Sequence, residues 1–394
     1  MLALFSRFWM GLRLLKARAR HSTVRFKTAD LPGLYRRFDD AGIPYVVLRW
    51  ADELPLSPAE ERGHARDVDH LVGNDTLDRI CRISSAQPGP VSCDYYTAGG
   101  QRGGAYRGMP YYMPALAARI LARRVRHPNG VWVPCPADAY HAYLYHLVYH
   151  KGHLSGIDTG LGLPTTPQAT RDYAAEVRRL AAAAGEAVPE TFTLLGFHEY
   201  LRAVGWAMAY DLMPRWGDRH PVLRALEQLE SERDAALAQR ARNLTVFVLR
   251  DDCGGERGET IARAMIGERF AILREVRLSP EAQARVVSQT RGGNWVEKGR
   301  THPVLPTLAF LCRNADVPGP LPVPMSPAKL RRRYPHVAHT DVLIKRVIRD
   351  RVAQLDGVLP GAVVIHATDN PLEAVSTLRA VLGPDLDAFL AAST

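Results

Sequence analysis

Asp67 and Asp69 stand two residues apart at the head of the segment Asp67–Val72 (DVDHLV), whose alternation is that of a half-buried β-strand. In a strand, residues i and i+2 point to one face, so the spacing predicts two carboxylates side by side. Such charges repel unless a cation lies between them. Mg²⁺ suits that geometry, because it prefers oxygen ligands and keeps waters for substrate phosphates. Asp94 falls on a later predicted strand, Val91–Tyr96 (VSCDYY), and supplies a third carboxylate. In a set of this kind one carboxylate can take the proton of an attacking hydroxyl. The competing reading of D-x-D is an exposed pair at a strand end.

The chain has 394 residues, too many for one ordinary core. Four segments follow from the element pattern. Residues 1–28 form a basic amphipathic helix. Residues 29–125 form a mixed α/β unit: a helix over Leu31–Ala41, a strand over Tyr45–Leu48, the acidic strand, a helix over Asp75–Ile83 and the strand bearing Asp94. Gly99–Gly108, with five glycines, reads as a mobile loop. Residues 126–242 are mainly helical, with helices over Ala137–Lys151, Gln168–Ala184, His198–Met213 and Pro221–Arg240. Residues 243–394 give strands at Leu244–Arg250, Phe270–Leu278 and Ala362–His366 and helices at Gly258–Glu268, Val342–Gln354 and Pro371–Leu382. A Pro-rich stretch, Pro303–Pro327, holds the apolar run Thr307–Leu311. That order predicts an α+β sandwich, so the fold class is α/β plus α+β, multidomain.

The stretch Tyr45–Val72 (YVVLRWADELPLSPAEERGHARDVDHLV) resembles bacterial nucleotidyltransferase-fold proteins. Their pattern runs from an apolar strand through L-[KR]-G, a variable loop and an Arg to D-[IV]-D-x-L-V. Leu48-Arg49-Trp50 stands at L-[KR]-G, with Trp50 in the place of glycine, and Arg66 precedes the acidic pair. The Gly-Ser pair that cradles a triphosphate in the wider superfamily is absent. The resemblance implies a mixed sheet and an NTP site, ATP first among the candidates, with Mg²⁺ on Asp67 and Asp69. Asp94 corresponds to the third acid by order and strand context, and activates the acceptor. Arg49 and Arg66 are phosphate-clamp candidates, since planar guanidinium groups suit bidentate contact. The acceptor is open: a small metabolite, a sugar, a protein or an RNA end.

The helix around Tyr140–Gly156 carries His141, His146, His150 and His153. The last three have i, i+4, i+7 spacing and share a face. Three readings stand: packing among the neighbouring tyrosines, contact of His150 and Lys151 with phosphate, or zinc binding through HxxxH. No glutamate lies within that motif to act as the base of a metalloprotease.

The last third resembles nucleoside diphosphate kinase. Val363–Glu373 (VVIHATDNPLE) places H-A-T-D-N between a strand and a helix, where that family has H-G-S-D-S. The resemblance implies a ferredoxin-like domain with His366 as the phosphorylated histidine. Arg250 and Asp252 stand at a K-P-D motif, and Arg349 follows Ile348 as in the family's I-R pair. Proline is lost from the first motif, and glycine is lost after the histidine. Two alternatives to nucleotidyl transfer follow: phosphotransfer through His366, and a nonenzymatic nucleotide-binding regulator.

The net charge is +10. Forty-five of the 51 basic residues are arginine, a bias that also arises from GC-rich coding, so charge alone does not establish a nucleic-acid partner. The five cysteines are scattered, with no CxxC, which fits a reducing cytoplasm. Residues 1–27 hold seven basic and no acidic residues. Leu4, Phe5, Phe8, Trp9, Leu12 and Leu15 recur at helical spacing there. Two readings stand for that helix: peripheral contact with an anionic membrane surface, or docking on the protein's own body.

Overall fold

The computed structural model describes residues 2–64, 66–166, 171–215, 220–290, 304–359 and 361–393. They fall into two compact units. The first takes residues 2–208 and 220–223, and the second takes 209–215, 224–290 and 304–393. Residues 209–215 and 224–242, which the sequence grouped with the helical segment, thus belong with the second unit. The chain is a mixed α/β protein with several sheets.

The first unit is built on β1 (Val24–Thr28), β2 (Tyr45–Val47), β3 (Asp67–Val72) and β4 (Val91–Thr97), in the order β1-β4-β3-β2. β3 and β4 run parallel, joined through the Leu77–Ala86 helix, and the other pairs are antiparallel. Period-two alternation sends Val24, Phe26, Tyr45, Val47, Val68, Val72, Cys93 and Tyr95 into one core. Leu34 and Phe38 of the Leu31–Asp40 helix and Ile80 of the Leu77–Ala86 helix meet them there. Each fully buried side chain of this size contributes roughly 2 kcal/mol. The first turn of the Leu31–Asp40 helix is satisfied twice over. Asp30 accepts from the Gly33 amide at 2.9 Å, and buried Glu61 accepts from the amides of Asp30 and Leu31. A Cβ at Gly33 would lie 1.8 Å from the Asp30 carboxylate, so the cap requires glycine.

Two sequence expectations change in this unit. The N-terminal basic segment is not helical throughout: the helix spans Leu2–Arg20, and Val24–Thr28 is strand β1, with Arg25 and Lys27 facing out. The Gly99–Gly108 segment is not a free loop. The Val24 amide donates to Gly103 O at 2.6 Å and the Thr97 amide to Gly104 O at 2.9 Å, and both glycines are buried. A Cβ at Gly104 would lie 2.6 Å from the Thr97 methyl.

Beyond the sheet, the first unit adds a hairpin of β5 (Val125–Arg126) and β6 (Trp132–Val133) and helices Pro136–His146, Tyr173–Ala184 and Leu194–Ala203. The expected long helix to Lys151 is broken. Its α-helical part stops at His146, Leu147–Lys151 forms a wider π turn, and Gly152 at φ +54° leads into a short 3₁₀ turn. The helix expected from Gln168 begins at Tyr173, capped by Asp172; residues 167–170 lie outside the described residues.

The second unit is an antiparallel sheet of β7 (Leu244–Arg250), β8 (Phe270–Arg277), β9 (Pro306–Asn314) and β10 (Ile365–Ala367), in the order β10-β7-β9-β8. Both faces are covered. Val246, Val248, Ala309 and Leu311 face a core closed by the Pro280–Gln289 and Pro371–Leu382 helices. Phe247, Leu249, Leu308 and Phe310 face the Gly255–Gly267 and Ile344–Val352 helices. β9 is a central strand in the region that its prolines marked only as Pro-rich with an apolar stretch. Pro306 opens it, where a missing N–H is tolerated.

Candidate functional site

The core of the first sheet lies on one face and its acidic residues on the other. In the parallel β3/β4 register Asp69 is paired with Asp94, and in the antiparallel β1/β4 register Asp94 is paired with Arg25. One row across the sheet therefore reads Arg25, Asp94, Asp69, with Asp67 two residues from Asp69 on the same face.

Arg25 is the residue that sequence reasoning missed. Its Nε and Nη2 donate to the two Asp94 oxygens at 2.7 Å each, and Nη2 also lies 2.7 Å from Asp67 Oδ2. The alternation of VRFKT was the available signal for a strand presenting Arg25. On the other side, Arg49 Nη2 donates to Asp69 Oδ2 at 2.5 Å, and the Tyr96 hydroxyl donates to Asp69 Oδ1 at 3.2 Å. The two arginines differ in freedom: the Arg25 side chain is 51% exposed and that of Arg49 8%. The Arg49 guanidinium lies over the Tyr111 ring, 5.5 Å from its centroid. Burial raises the Asp94 carboxyl above the ordinary aspartate value, and the hydrogen bonds from Arg25 pull it back. The Asp94 carboxylate in turn holds the Arg25 proton more tightly than usual.

The donor set is three carboxylates, which suits a hard cation. Their oxygens do not all approach within 4.8 Å of one another, because the Arg25 guanidinium lies between Asp67 and Asp94. A hard cation could be held by the three carboxylates only if the half-exposed Arg25 side chain were displaced, whereas Arg49 is a buried counter-charge beside Asp69.

The other two phosphate-contact candidates of this unit, Arg66 and Lys151, lie elsewhere. Arg66 pairs with Glu53 at 2.5 Å, and Arg171 pairs with the same carboxylate. Lys151 Nζ stands 5.4 Å from the Tyr173 ring centroid, a cation–π contact. Trp50 has φ +60°. This is the left-handed conformation that glycine adopts readily. Tryptophan in this conformation is strained by about 1–2 kcal/mol. The Arg171 guanidinium, 3.6 Å from the ring centroid, and the edge of Tyr143 hold it there. Beside Trp50 opens a cleft of about 490 Å³ lined by Leu48, Arg49, Arg126, Tyr143, Arg179 and Leu180, among others. Its volume is that of a small-molecule site.

The histidines of the helical part are packed among tyrosines. The Tyr111 hydroxyl bonds His146 Nδ1 at 2.7 Å, His150 Nε2 donates to the Tyr111 carbonyl at 2.8 Å, and His141 Nε2 meets the Tyr200 hydroxyl at 3.1 Å. Burial lowers the basicity of His141, His146 and His150. One ring nitrogen of each of these three histidines is engaged in these contacts.

In the second unit, His366 lies on β10 at 5% exposure, beside a cavity of about 20 Å³, room for one water and not for a phosphate. Arg349 donates through Nε and Nη2 to the Ile365 carbonyl, at 3.0 and 2.6 Å. Arg250 is fully buried, with Nε 3.0 Å and Nη2 2.5 Å from the two oxygens of Asp252. Both arginines bind the protein's own groups, which sequence spacing cannot distinguish from groups facing a nucleotide.

Among the described residues no helix is long and apolar enough to cross a membrane, and the five cysteines are buried and free. No family model matches this chain, and neither a curated protein nor a solved structure matches it.

Proposed function

We propose that the first unit is a nucleotidyltransferase-type domain that binds an NTP, ATP first among the candidates, and transfers its nucleotidyl group to an acceptor hydroxyl or phosphate. The observation that carries this reading is the convergence of Asp67, Asp69 and Asp94 on one sheet face around an exposed, displaceable guanidinium. Asp67 and Asp69 would hold Mg²⁺, which supplies charge neutralisation for the triphosphate when bound. Asp94, a buried carboxylate of raised basicity, takes the acceptor proton once Arg25 has left it. Arg49 keeps Asp69 oriented, and Arg25, released, is a phosphate partner within reach. Arg66, paired with Glu53, contributes to the wall of the opening beside Trp50. The neighbouring cleft is the place for a small acceptor or the nucleoside part.

The test uses ATP labelled at either the α- or the γ-phosphate with Mg²⁺. Transfer of α-label with pyrophosphate release, lost in Asp69→Asn, supports the reading. Failure to bind Mg·ATP in calorimetry removes it.

A nonenzymatic nucleotide-binding or regulatory role is the second reading, and one observation favours it: Arg25 already pairs with both Asp67 and Asp94. Binding of Mg·ATP without turnover of any acceptor would select it. For the second unit, the β10-β7-β9-β8 antiparallel order supports a ferredoxin-like, nucleoside diphosphate kinase-like sandwich. The enclosure of His366 ranks phosphohistidine chemistry below the other two. Acid-labile γ-label on the protein, lost in His366→Ala, would reverse that ranking.

A further inference from the structure

The Leu2–Arg20 helix has two apolar faces. Met10, Leu14 and Ala17 are buried in the core of the first unit, and Arg18 pairs with Asp78 of the Leu77–Ala86 helix at 2.7 Å. Phe5, Phe8, Trp9, Leu12 and Leu15 are 41–65% exposed. At about 100° per residue the exposed set spans an arc of roughly 120° centred on the side opposite the buried set. Docking on the protein's own body therefore uses one stripe and leaves the other bare.

Exposed apolar side chains scattered singly are ordinary, but a contiguous patch marks an interaction surface. Thirteen large hydrophobic residues are exposed among the described residues; five lie within residues 5–15, and the other eight are spread from Leu56 to Leu359. Arg7, Arg13, Lys16 and Arg20 are exposed on the same helix, and the helix has no acidic residue. Lys16, Arg20 and Arg13 follow one another along one border of the apolar arc. A surface that is apolar at its centre, cationic at its border and bears a tryptophan matches the boundary between anionic headgroups and acyl chains. A helix of 19 residues lying flat presents about 28 Å of that surface.

We infer that the Leu2–Arg20 helix is a membrane-surface anchor: it holds the first unit against an anionic lipid leaflet by inserting Phe5, Phe8, Trp9, Leu12 and Leu15, with Lys16, Arg13 and Arg20 on the headgroups. The inference is independent of any nucleotide chemistry.

The experiment is co-sedimentation of the full chain with phosphatidylcholine vesicles, with or without phosphatidylglycerol, at low and high salt. Binding to the anionic vesicles is expected, roughly a hundredfold weaker on neutral vesicles or after the Arg13→Glu/Lys16→Glu change; binding to the anionic vesicles also weakens in high salt. Phe8→Ser/Trp9→Ser changes only exposed side chains, so the fold persists by circular dichroism while binding is lost. Trp9→Phe retains binding. Brominated lipid quenches the wild-type emission more than that of Trp9→Phe. Equal binding to neutral and anionic vesicles, or none to either, overturns the inference. So does a vesicle-free dimer by light scattering that Phe8→Ser/Trp9→Ser converts to monomer, for then a second copy of the chain covers the face.

Discussion

Arg25 decides what the acidic face can hold. It bridges Asp67 and Asp94, and a cation bound there must compete with it. Arg25→Ala is expected to cost about 1–3 kcal/mol without metal, since Arg25 is half-exposed but the buried Asp94 carboxylate loses both hydrogen bonds from it. The same variant should gain more thermal stability from millimolar Mg²⁺ than the wild type does. A melting temperature that ignores Mg²⁺ in both proteins would remove the metal reading. Arg250 is the opposite case. Its pair with Asp252 is shut away from water, so Arg250→Ala removes a buried charge partner of that carboxylate and should cost about 3–5 kcal/mol in urea unfolding. Nucleotide affinity should stay unchanged if that arginine serves the core alone. Asp67, Asp69 and Asp94 were legible because period two in a strand fixes which residues share a face. Arg25 was not, because its meaning depends on pairing with a strand almost seventy residues away, and a local reading merged it with the basic helix. Trp50 was legible as a departure from glycine; its Arg171 support was not, since that contact spans 121 positions of chain.

At the scale of elements, the histidine-bearing helix sets an acid limit. His146 and His150 are buried, and burial pushes each well below the ordinary histidine value; His220 is pushed down to about 4 by the same cause. The unfolded chain takes up these protons at about pH 6.5 and the folded one resists. The stabilising difference is therefore complete above about pH 6.5 and is lost as the pH falls from there toward the folded-state values. Denaturant midpoints should drop between pH 7.5 and 5, and His146→Gln/His150→Gln should flatten that slope. An unchanged slope in the variant would assign the acid sensitivity to other groups. Element type was readable where periodicity was strong: Leu244–Arg250 and Pro371–Leu382 coincide with β7 and its later helix. It failed at the π turn after His146, where nothing in YLYHLVYHK marks a change of hydrogen-bond spacing. It failed again at β9, whose flanking prolines disguised a strand buried on both faces.

At the scale of the molecule, each unit carries its own apolar core, so each has its own source of stability. Calorimetry should resolve two transitions. Mg·ATP and acidification should move one of them, the transition that shifts in Arg25→Ala; Arg250→Ala should move the other. A single transition that responds to both substitutions would show the units unfolding together. The division into two units was only partly visible in the chain. Element order announced the second sheet, but residues 209–215 and 224–242 join it through tertiary packing that no composition change marks.

The parallel pairing of Asp69 with Asp94 has a cost for any mispaired chain. On β3 and β4 one face carries Asp67, Asp69 and Asp94 with Leu71, Ser92 and Tyr96, and the other carries Val68, His70, Val72, Cys93 and Tyr95, with His70 stacked on Tyr95 at 4.8 Å. Sliding β3 by one residue would exchange the two sets, driving two carboxylates into the apolar core and lifting His70 off its tyrosine. The acids thus discriminate between alignments of the sheet. Neutral replacements at Asp67 and Asp69 together would remove that discrimination as well as the proposed site, leaving a strand freer to settle in the wrong register.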